Sequence, residues 1–328
     1  MPAETISFEK ASKSGLVSII IPTRNGERFI GQSLASVARQ TYTDWEVIVV
    51  EDGSNDATSR LVREFSRKHR WHRIDYSRND QGCGTAHTRN IAFRKARGEF
   101  VALLDVDDRW LPEHLQMTTA ALVATGKDIA YSSSIMVEDQ TDLLLGVWGP
   151  TTYEVSTLPN SLFGRCFVTP SATVLRRQVL ADVGPWDTYL RYCEDYEFWL
   201  RCAVAGKKFQ YVHGCHCLFR KNHEGETPQR LCGRLEEVAE VAERYMTMPG
   251  LKHDTCRRLT AKAFHAAAQF HLTQDPQRDS SADPTRTAAL LMRAWRLRRR
   301  HADWLWQGCK LSAANVFHGR KRPALIRS

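Results

Sequence analysis

No run of about eighteen apolar residues occurs anywhere in the 328 residues, so no helix long enough to cross a bilayer is expected. The first fifteen residues hold Glu4, Glu9, Lys10 and Lys13 and no apolar stretch, so they do not read as a secretory signal. The nine cysteines form no Cys-x-x-Cys pair and follow no regular spacing. A chain of this size needs no covalent staples, so they read as reduced thiols, and the expected compartment is the cytoplasm. The turn Pro22-Thr23-Arg24-Asn25-Gly26 lacks a P-loop lysine and is not G-x-G-x-x-G, which argues against a Walker-type NTPase and a dinucleotide-binding dehydrogenase. Gly82-Cys83-Gly84 is only a weak glycine signal, and there is no internal repeat or low-complexity segment.

What the chain does carry is unevenly placed charge. The net charge is +9, yet residues 286–328 hold eleven Lys or Arg against the single acid Asp303, and the rest has 35 basic and 36 acidic residues. Leu290, Leu291, Trp295, Leu297, Trp304 and Trp306 are interleaved with the arginines. Three readings fit such a segment: a helix lying on an anionic membrane surface, a helix packed on the body with solvated arginines, or a nucleic-acid patch. The first is the expectation, and no nucleic-acid partner is expected.

From Leu16 to about Arg220, apolar runs alternate with amphipathic stretches, which predicts an α/β fold. Leu16–Ile21 reads as a strand buried on both faces and ended by Pro22. Ile30, Leu34 and Val37 mark a helix, and Glu46–Val50 and Phe100–Leu104 are further strands. Ile129–Ser132 and Ala172–Leu175 also look like strands, and the pattern turns helical from Leu231. Three strands therefore deliver polar clusters at their C-terminal ends, where open α/β sheets bind ligands.

The sharpest cluster is Asp105-Val106-Asp107-Asp108, set directly after an apolar strand. Like charges this close resist joint ionisation, and a hard divalent cation, Mg²⁺ or Mn²⁺, would relieve them while bridging nucleotide phosphates. The alternative is a solvated loop in which Asp107 or Asp108 caps the helix opened by Trp110–Glu113. Glu51-Asp52-Gly53-Ser54-Asn55-Asp56 suits either a turn and helix cap or a carboxylate accepting the N–H of a nucleobase. In Cys193–Arg201, acids sit beside aromatic residues; one carboxylate desolvated by Tyr196 and Trp199 would make a general base, whereas a plain helix start would place the acids at the positive end of the dipole. His213, Cys215, His216, Cys217 and His223 match no common zinc spacing, and His223 is retained only as a ligand to a donor-site metal.

Taken together and in order, Val17–Asn25, Val49–Ser54, Arg89-Asn90, Gly98–Asp108 and Glu194-Asp195 resemble the family 2 glycosyltransferases of the GT-A fold over roughly residues 16–225. The resemblance implies a 16–225 catalytic domain with a nucleotide-binding open sheet; a 1–15 extension is expected before it, and the periodicity and charge after it predict a helical, basic 226–328 region. It implies that Pro22, Thr23, Arg24, Asn25 and Asp52 line the nucleotide, with Arg89 nearby and Asp105 beside the ribose or donor sugar. Asp107 corresponds to the metal ligand of the DXD motif, Asp195 to the base, and Glu194 to a residue orienting the acceptor. The implied activity is an inverting transfer from a nucleotide sugar, UDP by expectation, to a saccharide or lipid-linked acceptor in polysaccharide or cell-surface glycan synthesis. Glu51 stands where the family more often has Asp. The transmembrane helices and Gln-x-x-Arg-Trp motif of processive relatives are missing, so transfer of one sugar or a few is expected. Two alternatives stay open. One is a non-catalytic nucleotide-sugar-binding or assembly subunit. The other is a nucleotidyltransferase, for which the chain lacks a glycine- and lysine-rich triphosphate loop.

Overall fold

The computed structural model describes residues 8, 12–221, 227–273, 284–298 and 306. It divides into two units: Met1–Leu158 with Cys166–Gly225, and Pro159–Arg165 with Glu226–Ser328. The first unit runs β1 (Lys13–Thr23), α1 (Ile30–Ala38), β2 (Trp45–Asp52), α2 (Thr58–Lys68), β3 (Ile74–Asn79), α3 (Thr85–Lys95), β4 (Gly98–Leu103), β5 (Arg109–Trp110), α4 (His114–Thr125), β6 (Ile129–Glu138), β7 (Leu144–Trp148), α5 (Thr152–Ser156), β8 (Thr173–Arg176), α6 (Arg177–Val183), α7 (Glu194–Val204) and β9 (Phe209–Lys221).

These strands form one nine-stranded sheet in the order β3-β2-β1-β4-β8-β6-β9-β5, with β7 paired to β6 at its side. β3, β2, β1 and β4 are mutually parallel, and β8 joins β4 antiparallel. Parallel strands flanked by helices bury both faces, which is why Ile19–Ile21 and Val47–Val50 are entirely inside. Each such aliphatic side chain contributes roughly 1.5–3 kcal/mol relative to exposure. Ile30, Leu34 and Val37 of α1 pack into the same core. Chain order reverses across β1, with β2 and β3 on one side and β4 on the other, so a crevice opens at the strand C-termini there.

Two boundaries differ from expectation. β1 does not end at Pro22 but continues through it, pairing Pro22 with Val50 and Thr23 with Glu51. β4 pairs with β1 only as far as Ile20, so Pro22 has a strand neighbour on one side and its missing N–H breaks no second ladder. β2 likewise runs on through Glu51 and Asp52, so both acids are strand residues rather than turn residues.

The second unit is built on α8 (Pro228–Tyr245), α9 (His253–Thr273) and α10 (Pro284–Leu297). Thr227 caps α8, its Oγ1 accepting from Arg230 N at 3.3 Å, and Pro228 takes the first turn where no N–H is needed. Ala239, Ala261, Phe264, Ala267, Ala268, Leu290, Leu291 and Ala294 form its core. The segment Pro159–Arg165 belongs here, Asn160 Oδ1 accepting from Lys252 N at 2.7 Å. Leu290 and Leu291, which the sequence offered to a membrane surface, are thus buried between helices, and Arg293 pairs with Glu240 and Glu243 of α8. Apart from Trp306, the basic stretch after Arg298 lies outside the described residues. Among the described residues no helix is long and apolar enough to cross a membrane.

Candidate active site

Thr23, Asp52 and Asp105 end, or directly follow, three adjacent parallel strands, so register alone brings them to one edge of the sheet. Their loops are then tied to each other. Asn25, in the left-handed region at φ +49°, donates its N–H to Ser54 Oγ at 2.8 Å and accepts from Asn55 N through Oδ1 at 3.1 Å. A Cβ on Gly26 would fall 2.3 Å from Thr23 Oγ1 and 2.9 Å from Val106 Cγ2, so only glycine lets the first loop close on the acidic one. Pro22 and Thr23 are buried, Arg24 and Asn25 exposed, and Arg24 lies against Gly82. Thr23 Oγ1 is buried with no hydrogen-bond partner among the described residues.

Asp52 is held as an acceptor. Its Oδ1 receives Asn79 Nδ2 at 3.0 Å and Cys83 N at 2.8 Å, and its Oδ2 receives Gly84 N at 2.8 Å. Burial pushes this carboxyl upward, but these donors together with Thr88 outweigh it and leave its pKa below the usual range. Gly84, at φ +89°, opens α3, whose positive end also favours the charge. Glu51, beside it in the strand, is buried and takes the Tyr76 hydroxyl at 2.5 Å; burial and that carboxylate push Tyr76 up to about 12.

The acids of the second cluster separate into distinct environments. Asp108 is buried and accepts from Arg220 N at 2.9 Å. Burial, then the charges of Asp107 and Asp105, raise its pKa well above the normal range. It caps no helix: α4 starts at His114 with Glu113 before it and no side-chain cap. Asp107 is pushed up to about 6 by burial and by Asp105. Asp105 donates its N–H to Ser171 Oγ at 3.0 Å, and its Oδ1 receives Arg89 Nη2 at 2.8 Å. Asp105 and Asp107, two acids of one turn that both offer hard oxygen, form a donor set suited to Mg²⁺ or Mn²⁺. His223, the other expected ligand, lies outside the described residues.

Arg89 connects this cluster to α7. It is 3% exposed, and its Nη1 reaches Glu194 Oε1 at 3.1 Å while Nη2 holds Asp105. Burial alone would lower the guanidinium pKa, but Asp105 and Glu194 raise it, so the charge is permanent. Asp195, next to Glu194 in the first turn of α7, accepts its neighbour's Tyr196 N at 2.7 Å. Burial and then Glu194 push Asp195 up to about 7, with Arg89 pulling in the opposite direction. Glu197 has a different occupation, pairing with Arg201 at 2.9 Å, while Phe198 and Trp199 are core residues against Trp186. The acids of this segment stand in the first turn of α7, where the helix-start reading puts them.

Arg220 was not singled out from the sequence. Its Nε donates to Asp107 O at 3.0 Å, Nη1 to Asp139 O at 2.6 Å and Nη2 to Gln32 Oε1 at 3.0 Å. One buried side chain therefore sets the backbone that presents Asp107 and Asp108. Ser171 and Asn79 were also missed. Asn79 has a faint signal, as a polar residue closing an apolar run, but its pairing opposite Asp52 exists only in the sheet. The cluster His213, Cys215, His216 and Cys217 does not assemble: on β9, Cys217 is buried, Cys215 and His216 are half-buried and His213 is exposed.

The glycosyl transferase family 2 model matches residues 18–184. A glucosyltransferase of Escherichia coli, the UDP-Glc:alpha-D-GlcNAc-diphosphoundecaprenol beta-1,3-glucosyltransferase WfgD, is 32% identical over 185 residues, 56% of this chain and 68% of that protein. The fold is similar to that of Staphylococcus aureus TarS 1-349 in complex with UDP, with a TM-score of 0.63 at 20% identity over 94% of both chains. It is also similar to the mannosyltransferase PcManGT of Pyrobaculum calidifontis in complex with GDP-Man and Mn²⁺, with a TM-score of 0.58 at 19% identity over 98% of this chain and 92% of that one. The family match covers more than half of the chain and runs from β1 through the Asp105–Asp108 turn to the end of α6; on that extent, and with the mixed open sheet of GT-A structures, the chain belongs to glycosyl transferase family 2.

Proposed function

We propose that the chain transfers a sugar from a nucleotide sugar to an acceptor hydroxyl with inversion, using Asp195 as the base. The observation that carries this reading is the Arg89 bridge, which sets Asp105 and Glu194 on one cation and leaves Asp195 beside them with a pKa near 7. A base tuned to that value is deprotonated enough at neutral pH to accept a hydroxyl proton and basic enough to hold it. Asp52 Oδ2 and the unpartnered Thr23 Oγ1 suit the nucleobase and ribose side of the donor. Pro22, Arg24 and Asn25 border the same loop, and UDP is the proposed nucleotide, supported by the UDP-sugar named for the Escherichia coli relative.

Asp107, with Asp105 beside it, would hold Mg²⁺ or Mn²⁺, which supplies charge neutralisation of the diphosphate as it leaves. The charges of Glu194 and Arg89 act in opposite directions on Asp195, which takes the proton as the acceptor oxygen attacks. The Escherichia coli relative is named for a sugar carried on diphosphoundecaprenol, so a saccharide or lipid-linked acceptor in bacterial glycan synthesis is proposed. Contact with an anionic membrane is proposed for the basic residues after Arg298.

Thermal denaturation against UDP, GDP, dTDP and CMP, each with and without Mn²⁺ or Mg²⁺, tests the donor site. One nucleotide is expected to raise Tm in a metal-dependent way, since a ligand of the folded state stabilises it by mass action. Asp195→Asn is expected to keep that shift and lose roughly 10²–10⁴-fold in turnover. A variant with unchanged behaviour would instead favour a binding subunit on the same fold.

A further inference from the structure

The helical unit contains a second cluster of metal-ligating side chains, remote in kind from the hard-oxygen donor site. Cys232 and Glu236 are four residues apart on α8 and so share one face, and His271 comes from α9. Their ligand atoms all lie within 4.8 Å of one another, and all three residues are buried. Cys232 Sγ is 3.0 Å from His271 Nε2 and 3.9 Å from Glu236 Oε1, and the same Nε2 contacts Glu236 Oε1. Arg286 of α10 pairs with the other oxygen, Oε2.

The Cys232 thiol points towards Glu236 Oε1 across 3.9 Å, and the His271 ring meets both that oxygen and the sulfur. A cation among the three atoms uses all of them at once. Sulfur, imidazole nitrogen and one carboxylate oxygen are the mixed set that zinc accepts and that magnesium does not. Arg286 on the non-ligating oxygen is the kind of outer contact that orients a metal-bound carboxylate.

The geometry points to a Zn²⁺ site formed by Cys232, Glu236 and His271, which staples α8 to α9 across 39 residues of sequence. Binding requires the Cys232 thiol to release its proton to solvent as the S–Zn bond forms, while His271 ligates through a neutral Nε2. The two negative ligands balance the ion.

The test uses the full chain, stripped with a chelator and titrated with Co²⁺ and then Zn²⁺. One Co²⁺ per chain is expected to give a thiolate-to-metal charge-transfer band, displaced by Zn²⁺ and untouched by excess Mg²⁺, with Zn²⁺ raising Tm. Cys232→Ser should abolish the band and weaken Zn²⁺ by more than 100-fold. Arg286→Gln should weaken it by roughly 10–100-fold. Cys256→Ser, at a buried cysteine contacting Asn160 instead, should retain both signals. A wild-type chain with no charge-transfer band, or a band that survives in Cys232→Ser, overturns the site. The wild-type spectrum is decisive even where a variant fails to fold.

Discussion

Replacing Arg89 by methionine separates its electrostatic role from its bulk. The substitution removes the charge-assisted hydrogen bonds to Asp105 at 2.8 Å and to Glu194 at 3.1 Å. Such bonds contribute about 1.5–3 kcal/mol each. The Asp105 and Glu194 side chains are 30% and 16% exposed, so water takes over part of each interaction. A loss of about 3 kcal/mol follows, at the low end of the cost of breaking a fully buried pair. The second consequence concerns pH. Asp195 must be ionised to act as base, so wild-type turnover is expected to rise as pH increases through about 7. Arg89 holds that value down, so in R89M the rise moves to higher pH, whereas R89K, which keeps the charge, stays near the wild type. Stability carries the same signature. The folded-state pKa of Asp195 is raised from 3.8 to about 7, so its contribution is present below about 3.8 and lost as pH climbs through about 7. Removing Arg89 extends that window upward, and the deficit of R89M should grow across it. Urea denaturation from pH 4 to 9, paired with nucleoside diphosphate release over the same range, measures both. A deficit below about 1 kcal/mol that is flat with pH, with an unmoved inflection, would refute the reasoning.

Arg220→Met leaves the acceptors Asp107 O, Asp139 O and Gln32 Oε1 without their donor, and a loss of about 3 kcal/mol in denaturant titration is expected together with weaker metal-dependent nucleotide binding. Stability lost without any change in nucleotide binding would show that Arg220 does not shape the acidic turn. Gly53→Ala places a Cβ 2.9 Å from Gly82 N at φ +69°, whereas Gly126→Ala, at φ +64°, meets nothing within 4 Å. Both carry the left-handed strain of about 1 kcal/mol, and only the first adds a backbone clash, so G53A should melt lower than G126A. Equal melting temperatures would mean that the Gly53–Gly82 approach relaxes freely.

Much of the first unit is legible residue by residue. The runs at Leu16–Ile21, Glu46–Val50 and Phe100–Leu104 are strands because β-branched and aliphatic residues without polar alternation suit only a sheet covered on both faces. β3 was not anticipated, since Ile74-Asp75-Tyr76-Ser77 mixes polar and apolar residues and is only partly buried at the sheet's edge. β7 escaped for the opposite reason. Its Leu144, Leu145 and Val147 are apolar but exposed, so composition says nothing of their setting. The histidines and cysteines from His213 to Cys217 match no common zinc spacing, and in β9 His213 is exposed while Cys217 is buried. Cys232, Glu236 and His271 went unnoticed, because only the packing of α9 on α8 brings the third residue to the other two.

Sequence alone determined the strands β1, β2 and β4 of the sheet's core and that acidic or polar clusters lie at their C-terminal ends, because local periodicity encodes both. It also carried the family, through short motifs in a fixed order. Tertiary structure decided the division of labour among the acids: Asp108 is locked to the Arg220 backbone, Asp107 sits with a raised pKa, Asp105 and Glu194 share Arg89, and Asp195 is tuned towards neutrality. That division depends on burial and on charges brought from 16 and 105 residues away, distances over which no local pattern carries information.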